Sequence, residues 1–242
     1  MTDRTLWALG CQWEHGAYEK TWHELDFGRA GGNGVTLPVE EGLELSLRGR
    51  IDRVDFAEED GSLYVKVIDY KSGSTKLDLG KVYYGLQLQL VLYLEAAMAM
   101  AAKRNPNRKL IPAGIYYYNM KDPIVSGFDM TKEDIEAKQQ KELRMNGLTS
   151  TEKASLLLID AEGGNVVSGL EYKKDGSLSS RALVANADQM HELGHFARKK
   201  ALDLARDIYG GKIDAYPYEY KKMNPCEYLS LIHISEPTRQ EA

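Results

Sequence analysis

The alternation of apolar and polar positions is clearest between residues 43 and 71. The stretch LELSLRGRIDRVDF at 43–56 alternates as a half-buried β-strand does. Asp60 and Gly61 then form a pair typical of a hairpin turn, and LYVKVIDYK at 63–71 has the composition of a second strand. We therefore predict two antiparallel strands joined by a tight turn.

Two later helices and one buried strand are also predicted. Apolar residues recur at the helical period in VYYGLQLQLVLYLEAAMAMAAKR at 82–104. The apolar run IPAGIYYYNM at 111–120 predicts a strand, so the strand at 63–71, this helix and the new strand would form a right-handed β-α-β unit. Another helix is predicted over 186–211, where two glycines end it.

The rest of the chain has weaker patterns. Thr131 followed by Asp134 has the spacing of a helix-capping box. The remaining predictions are a helix over 1–22, glycine-rich turns over 28–38, a helix over 131–147, and an insertion over 148–183 with short strands near 156–160. Together the elements predict an α/β fold with a mixed β-sheet flanked by helices.

Composition sets broad limits on the function. The 242 residues are 43% hydrophobic and 28% charged, which fits one large α/β domain. No apolar run approaches the length of a bilayer span, and the first residues lack the pattern of a secretory signal. Two cysteines cannot form a disulfide framework. We expect a cytoplasmic location and no membrane contact.

The net charge of −5 argues against a generally basic nucleic-acid-binding protein. Positive side chains nevertheless gather around the two predicted hairpin strands: Arg48, Arg50, Arg53, Lys66, Lys71, Lys76 and Lys81. This cluster has two interpretations, a contact surface for phosphates or the ordinary charges of a solvated sheet edge.

Three side chains of the hairpin strands carry the chemistry. Asp69 and Lys71 lie two positions apart on one strand, and so they share a face. Asp52 on the other strand supplies a second carboxylate, and strand alternation favours it over Asp55, which points the other way. A hard divalent cation takes one or two carboxylates together with water and a substrate phosphate. An adjacent lysine can stabilise the charge that builds on the phosphate.

The motifs resemble those of a known nuclease family. The order G-x-I-D at 49–52, D-Y-K at 69–71 and Q-x-x-x-Y at 89–93 is similar to the RecB-type branch of the PD-(D/E)XK nuclease superfamily. Within that branch the chain most resembles AddB-type nuclease domains. Further strings that support the resemblance are HELDFG at 23–28, PAGIYYYNMKDP at 112–123 and NPCEY at 224–228. The resemblance implies a restriction-endonuclease-like core.

The resemblance also implies roles for individual residues. Asp52 and Asp69 would be metal ligands, with the backbone carbonyl of Tyr70 as a further ligand and Lys71 as the catalytic amine. Gln89 and Tyr93 lie four apart on one helical face and would help to position the lysine or the DNA backbone. The implied activity is Mg²⁺-dependent exonucleolytic cleavage of DNA. The implied setting is double-strand break repair, in a complex with an AddA-like helicase/nuclease subunit.

The C-terminal residues depart from the family pattern. Cys226 in NPCEY resembles the first ligand of a 4Fe-4S cluster, a site that needs four thiolates. The next expected cysteine falls at Leu229, and the residues at 229–242 resemble a translated sequencing adapter. We therefore expect 229–242 to be a non-native tail, 1–228 to be a nuclease domain incomplete at both ends, and no cluster to assemble here.

Three other interpretations of the sequence stay open. HELGH at 191–195 has the spacing of a zinc metalloprotease helix, for which Glu219 and His233 are the few downstream ligand candidates. The fragment could also bind DNA without cutting it. Finally, the tyrosines at 116–118 could stack on bases of a single strand, although alternation places at least one of them in the core.

Overall fold

The computed structural model describes residues 2–28, 35–125, 127 and 129–214. The strands in chain order are β1 (Lys20–Phe27), β2 (Val35–Glu40), β3 (Leu43–Leu47), β4 (Gly49–Glu59), β5 (Ser62–Lys71), β6 (Lys109–Asn119), β7 (Asn146–Ser150) and β8 (Val184–Ala185). The helices are α1 (Thr2–His15), α2 (Leu79–Tyr83), α3 (Gln89–Arg104), α4 (Lys132–Glu142), α5 (Lys153–Ile159) and α6 (Ala187–Tyr209).

Six strands form one mixed sheet in the order β1-β4-β5-β6-β7-β8, and β2 and β3 form a separate hairpin. β4 and β5 are antiparallel, whereas β5 and β6 are parallel and are connected through α2 and α3. The predicted hairpin and the β-α-β connection are therefore confirmed. The mixed sheet with its helices confirms the predicted α/β class.

A hydrophobic core lies on each face of the sheet. On one face, α3 and α6 pack over inward-facing residues such as Val65 and Val67 of β5. On the other face, Ala8 of α1 and Ile159 of α5 pack with Tyr116 of β6. Because strand side chains alternate, the two cores use alternate residues of the same strands. Among the described residues, no helix is long and apolar enough to cross a bilayer.

Several predicted boundaries are wrong. The strand over 43–56 is divided into β3 and β4, and the helix over 1–22 ends at His15 and is followed by β1. The helix over 82–104 is divided into α2 and α3 by a connection at 84–88. The helix over 131–147 ends at Glu142, and the strand near 156–160 is helix α5. The capping box of Thr131 and Asp134 is confirmed.

Candidate active site

The two proposed carboxylates meet where β4 and β5 separate. The ladder between these strands runs to the pair Arg53 and Ile68, and Asp52 follows at its end. Asp52 Oδ2 accepts a hydrogen bond of 2.8 Å from the backbone N–H of Tyr70. The Asp52 carboxylate thus contacts the peptide that joins Asp69 to Tyr70.

Asp69 is the buried member of the site, with 3% of its surface exposed. Its Oδ2 lies 2.6 Å from Lys71 Nζ. Burial raises the pKa of Asp69; the hydrogen bond and charge of Lys71 oppose this shift, and the charge of Asp52 adds to it. The two carboxylates are therefore close enough to repel each other, as expected of a pair that shares a cation.

Lys71 connects the strands to helix α3. Its ammonium donates a hydrogen bond of 3.0 Å to Gln89 Oε1, and Gln89 Nε2 donates one of 2.9 Å to the hydroxyl of Tyr93. The structure thus brings together four of the predicted residues in one chain of contacts: Asp69, Lys71, Gln89 and Tyr93. The lysine side chain is 29% exposed, so the site remains open to a substrate.

The donor set suits magnesium better than a structural zinc ion. Among the described residues, no three His, Cys, Asp or Glu side chains lie together as a metal cluster. Mg²⁺ keeps several waters and is held by one or two carboxylates together with substrate phosphates. Asp52, Asp69 and the carbonyl of Tyr70 fit that requirement. Asp69 Oδ2 has only Lys71 as a partner in the described part of the chain, and so it remains available as a ligand.

A comparison with known protein families decides where the chain belongs. The PD-(D/E)XK nuclease superfamily matches residues 1–231. The chain belongs to the PD-(D/E)XK nuclease superfamily. The pairing of Asp52 with the D-Y-K strand is thus found in a chain of the superfamily whose motifs it resembles.

Relatives of the chain within this nuclease superfamily share one name, that of the B-type subunit of an ATP-dependent helicase/deoxyribonuclease. The protein of this name from Lachnoclostridium phytofermentans is 40% identical over 238 residues, which cover 94% of this chain and 19% of the relative. The one from Clostridium kluyveri is 35% identical, covering 96% of this chain and 21% of the relative. The one from Acetivibrio thermocellus is 31% identical, with the same coverage. The chain therefore spans about one fifth of the length of these curated relatives.

The glycine of the superfamily motif G-x-I-D has a packing role. A Cβ at Gly49 would lie 2.8 Å from Cε1 and Cζ of Phe27 and 3.4 Å from Cε1 of Tyr93. The rings of Phe27 and Tyr93 pack edge to face, with centroids 5.7 Å apart. Only glycine lets Phe27 support Tyr93, whose hydroxyl holds Gln89.

Gly49→Ala is therefore expected to reduce nuclease turnover by about 10-fold, because the added methyl group displaces the Phe27 ring and with it Tyr93. The measurement is the rate of magnesium-dependent cleavage of a labelled single-stranded oligonucleotide. Gly10→Ala is the matched control, since a Cβ at Gly10 meets nothing within 4 Å. Equal rates for the two variants would contradict this role of Gly49.

The competing carboxylate, Asp55, lies on the other face of the sheet in a buried ion cluster. Arg53 Nε lies 2.7 Å from Asp55 Oδ1, and Lys66 Nζ lies 3.3 Å from Asp55 Oδ2. Thr21 Oγ1 also donates to Asp55, at 3.0 Å. Arg53 and Lys66 are 4% and 3% exposed. These two cations therefore cannot belong to a phosphate-contacting surface, which corrects that interpretation of the charged hairpin.

The tyrosines at 116–118 do not face solvent. Tyr116 and Tyr118 are fully buried in one core and Tyr117 is buried in the other. The hydroxyl of Tyr116 is hydrogen-bonded to Thr149 Oγ1 at 2.8 Å. The suggestion that they stack on bases is therefore wrong.

The HELGH string lies on the solvent side of α6, with His191, Glu192 and His195 exposed. The two imidazole Nε2 atoms are 2.9 Å apart. Within the described residues no third carboxylate or histidine completes a metal site there. The downstream candidates Glu219 and His233 lie outside the described residues, as do Cys226 and the predicted tail at 229–242.

Sequence reasoning missed three features around the site. Glu24 lies between two residues of β1 that pair with β4, opposite Asp52, and has a left-handed φ of 49°. Its carboxylate pairs with Arg50 at 2.8 Å. Asn119 and Asn146 were also missed, although they hold the segment after Lys71. An asparagine at the end of a predicted strand has no periodic signal that would reveal such a contact.

Proposed function

We propose that this nuclease chain hydrolyses DNA phosphodiester bonds with a magnesium ion held by Asp52, Asp69 and the carbonyl of Tyr70. The observation that carries the proposal is the convergence of the two carboxylates at one end of β4 and β5, with Lys71 paired to Asp69. Membership of the superfamily supports the same chemistry. Bound Mg²⁺ would activate a water molecule and neutralise charge on the phosphate.

The side chains of the chain then have distinct tasks. Asp52 accepts the Tyr70 N–H and so fixes the peptide whose carbonyl is the third ligand. Lys71 carries a positive charge beside Asp69, where it can orient the attacking water or stabilise charge on the phosphoryl oxygens. Gln89 and Tyr93 hold the lysine ammonium from α3. Each task uses a contact of 3.0 Å or less.

The names of the relatives supply the proposed setting. We place this chain in a helicase/nuclease complex that degrades DNA ends during double-strand break repair in the cytoplasm, with an AddA-like subunit as its partner. The chain has no G-x-x-x-x-G-K-[ST] motif, so ATP-driven steps belong to other segments or to the partner. A 4Fe-4S cluster with Cys226 as one ligand remains a proposal for the intact family.

Metal removal tests the proposal. With Mg²⁺ present the chain should nick labelled single-stranded DNA, and excess EDTA should lower the rate by about 10³-fold or more, because the ion supplies several kcal/mol to the transition state. Added Mg²⁺ should restore the rate. Casein with Zn²⁺ is the parallel substrate for the HELGH helix, and we expect no hydrolysis of it.

Three outcomes would contradict the proposal. DNA cleavage that survives EDTA would exclude the metal-dependent mechanism. Binding of the oligonucleotide without any cleavage would show a DNA-binding fragment instead. Casein hydrolysis that His191→Ala abolishes would favour a zinc protease.

A further inference from the structure

The segment between β5 and α2 is held by the side-chain amides of three residues from other parts of the fold. Residues 75–78 have no regular secondary structure and follow the catalytic strand directly. Gln87 precedes α3, Asn119 ends β6 and Asn146 begins β7. These three amides converge on four consecutive residues, which we name the braced segment.

The two asparagines bind the braced segment at both of their polar atoms. Asn119 Oδ1 accepts from the N–H of Thr75 at 3.0 Å, and its Nδ2 donates to the carbonyl of Thr75 at 2.9 Å. Asn146 Oδ1 accepts from the N–H of Leu77 at 3.0 Å, and its Nδ2 donates to the same carbonyl of Thr75 at 3.0 Å. Only a carboxamide can both donate and accept in this way.

Gln87 completes the brace from the helix side. Its Oε1 accepts from the N–H of Asp78 at 2.9 Å, and its Nε2 donates to the carbonyl of Lys76 at 2.9 Å. Asp78 in turn caps α2 by accepting from the N–H of Gly80. The braced segment is thus tied to the connection that leads into α3.

The brace joins the two elements that meet at the catalytic lysine. Asn119 pairs with Lys71 in the β5–β6 register, and the carbonyl of Lys71 accepts from the N–H of Met120 at 2.8 Å. Gln87 lies two residues before Gln89, which accepts from Lys71 Nζ. The path from Lys71 to Gln89 along the chain therefore passes through the braced segment and is fixed at both ends.

We propose that Asn119, Asn146 and Gln87 are positioning residues that set the Lys71 ammonium against Gln89 and Asp69. The proposal rests on the nuclease function proposed above. A displacement of about 1 Å in a catalytic group can cost about 10²-fold in rate, even when the changed residue touches no substrate. Side chains that orient a catalytic group through second contacts have effects of this kind.

The test compares Asn146→Ala and Asn119→Ala with Asn105→Ala. Asn105 is the matched control because its Nδ2 donates to the carbonyl of Ala101 at the end of α3, away from the braced segment. We expect kcat for magnesium-dependent cleavage of single-stranded DNA to fall about 10- to 100-fold in the first two variants, with KM unchanged. Asn105→Ala should lower the melting temperature comparably and leave kcat within about 2-fold of the unaltered chain.

An isosteric variant and a double variant separate positioning from simple stability. Asn119→Asp keeps the acceptor for Thr75 N–H and loses the donor, and so it should also lose turnover. If the amides act through Lys71 and Gln89, Asn146→Ala should reduce the rate of a Gln89→Ala chain by less than about 3-fold, because coupled residues are not additive. A full multiplicative loss would overturn the proposal.

Hydrogen exchange gives a readout that does not depend on activity. The amides of Thr75, Leu77 and Asp78 should exchange at least about 10-fold faster in the braced-segment variants than in Asn105→Ala. Unchanged exchange would overturn the brace. If the unaltered chain cleaves DNA and Asn146→Ala retains its kcat, the positioning role alone is overturned. If the unaltered chain does not cleave DNA with Mg²⁺, the proposed function fails and this role fails with it.

Discussion

Lys71→Ala is expected to lower the rate of magnesium-dependent DNA cleavage by about 10³-fold, the largest effect on activity that the site predicts. The lysine is the only cation paired with Asp69 in the described part of the chain, and it contacts both Asp69 and Gln89. Its removal takes the positive charge away from the place where the reacting phosphate would lie. The measurement is single-turnover cleavage of a labelled single-stranded oligonucleotide.

Two further variants decide whether the charge or its placement is needed. Lys71→Arg keeps a positive charge but not its position, since the guanidinium is planar and bulkier. We expect it to recover less than about a tenth of the lost rate. Lys109→Ala is the control, because Lys109 is exposed and begins β6 at the end opposite the site. A Lys71→Ala chain that retains its rate would remove the lysine from the mechanism.

Metal binding separates this role from that of a ligand. Lys71→Ala should still bind Mn²⁺, measured by electron paramagnetic resonance, because the carboxylates and the Tyr70 carbonyl remain. Asp69→Asn should lose both Mn²⁺ binding and cleavage. Loss of Mn²⁺ binding in Lys71→Ala would show that the lysine acts by holding the metal site together.

The sequence predicts the central hairpin and its chemistry well, for a local reason. Strand alternation and the turn at Asp60 and Gly61 involve neighbouring residues only, and both turn residues have the positive φ that a tight hairpin needs. The same alternation separates Asp52 from Asp55, which the structure places in different environments.

The interruption of the long helix could not be read from its apolar period. The spacing continues across 84–88, but Gly85 has a φ of 79° and the chain leaves the helix there. Gln87 is thereby freed to hold the braced segment, a contact between distant backbone groups that no local pattern reveals. The apolar run near 156–160 is equally ambiguous, because short buried helices and strands have similar composition.

Charge clustering in the sequence also has a limit. Arg53 and Lys66 look like surface cations when only the order of residues is known. Both instead point to the buried face and surround Asp55, because alternate strand residues enter opposite cores. Only the packing of α1 and α5 over that face determines that these charges lose water.

The buried cluster predicts the largest effect on stability. Asp55→Ala is expected to lower the free energy of unfolding by about 3–5 kcal/mol, because Arg53 and Lys66 would be left buried without a counter-charge. For a chain of this size the melting temperature should fall by about 10 °C. The measurement is thermal or urea-induced unfolding followed by circular dichroism. Asp26→Ala, which removes an exposed carboxylate from β1, should change the stability by less than about 0.5 kcal/mol.

The dependence on pH and on the partner tests the same cluster. Burial raises the pKa of Asp55, but the charges of Lys66 and Arg53 outweigh it, so the folded-state pKa lies below the ordinary value of 3.8. The stabilisation is therefore fully present above pH 3.8 and is lost as the pH falls through the lower folded-state value. Burial lowers the pKa of Lys66 to about 8, so its charge is held at a cost. Lys66→Met should consequently destabilise the chain less than Asp55→Ala does, since Arg53 still neutralises Asp55; the opposite order would contradict Asp55 as the centre of the cluster.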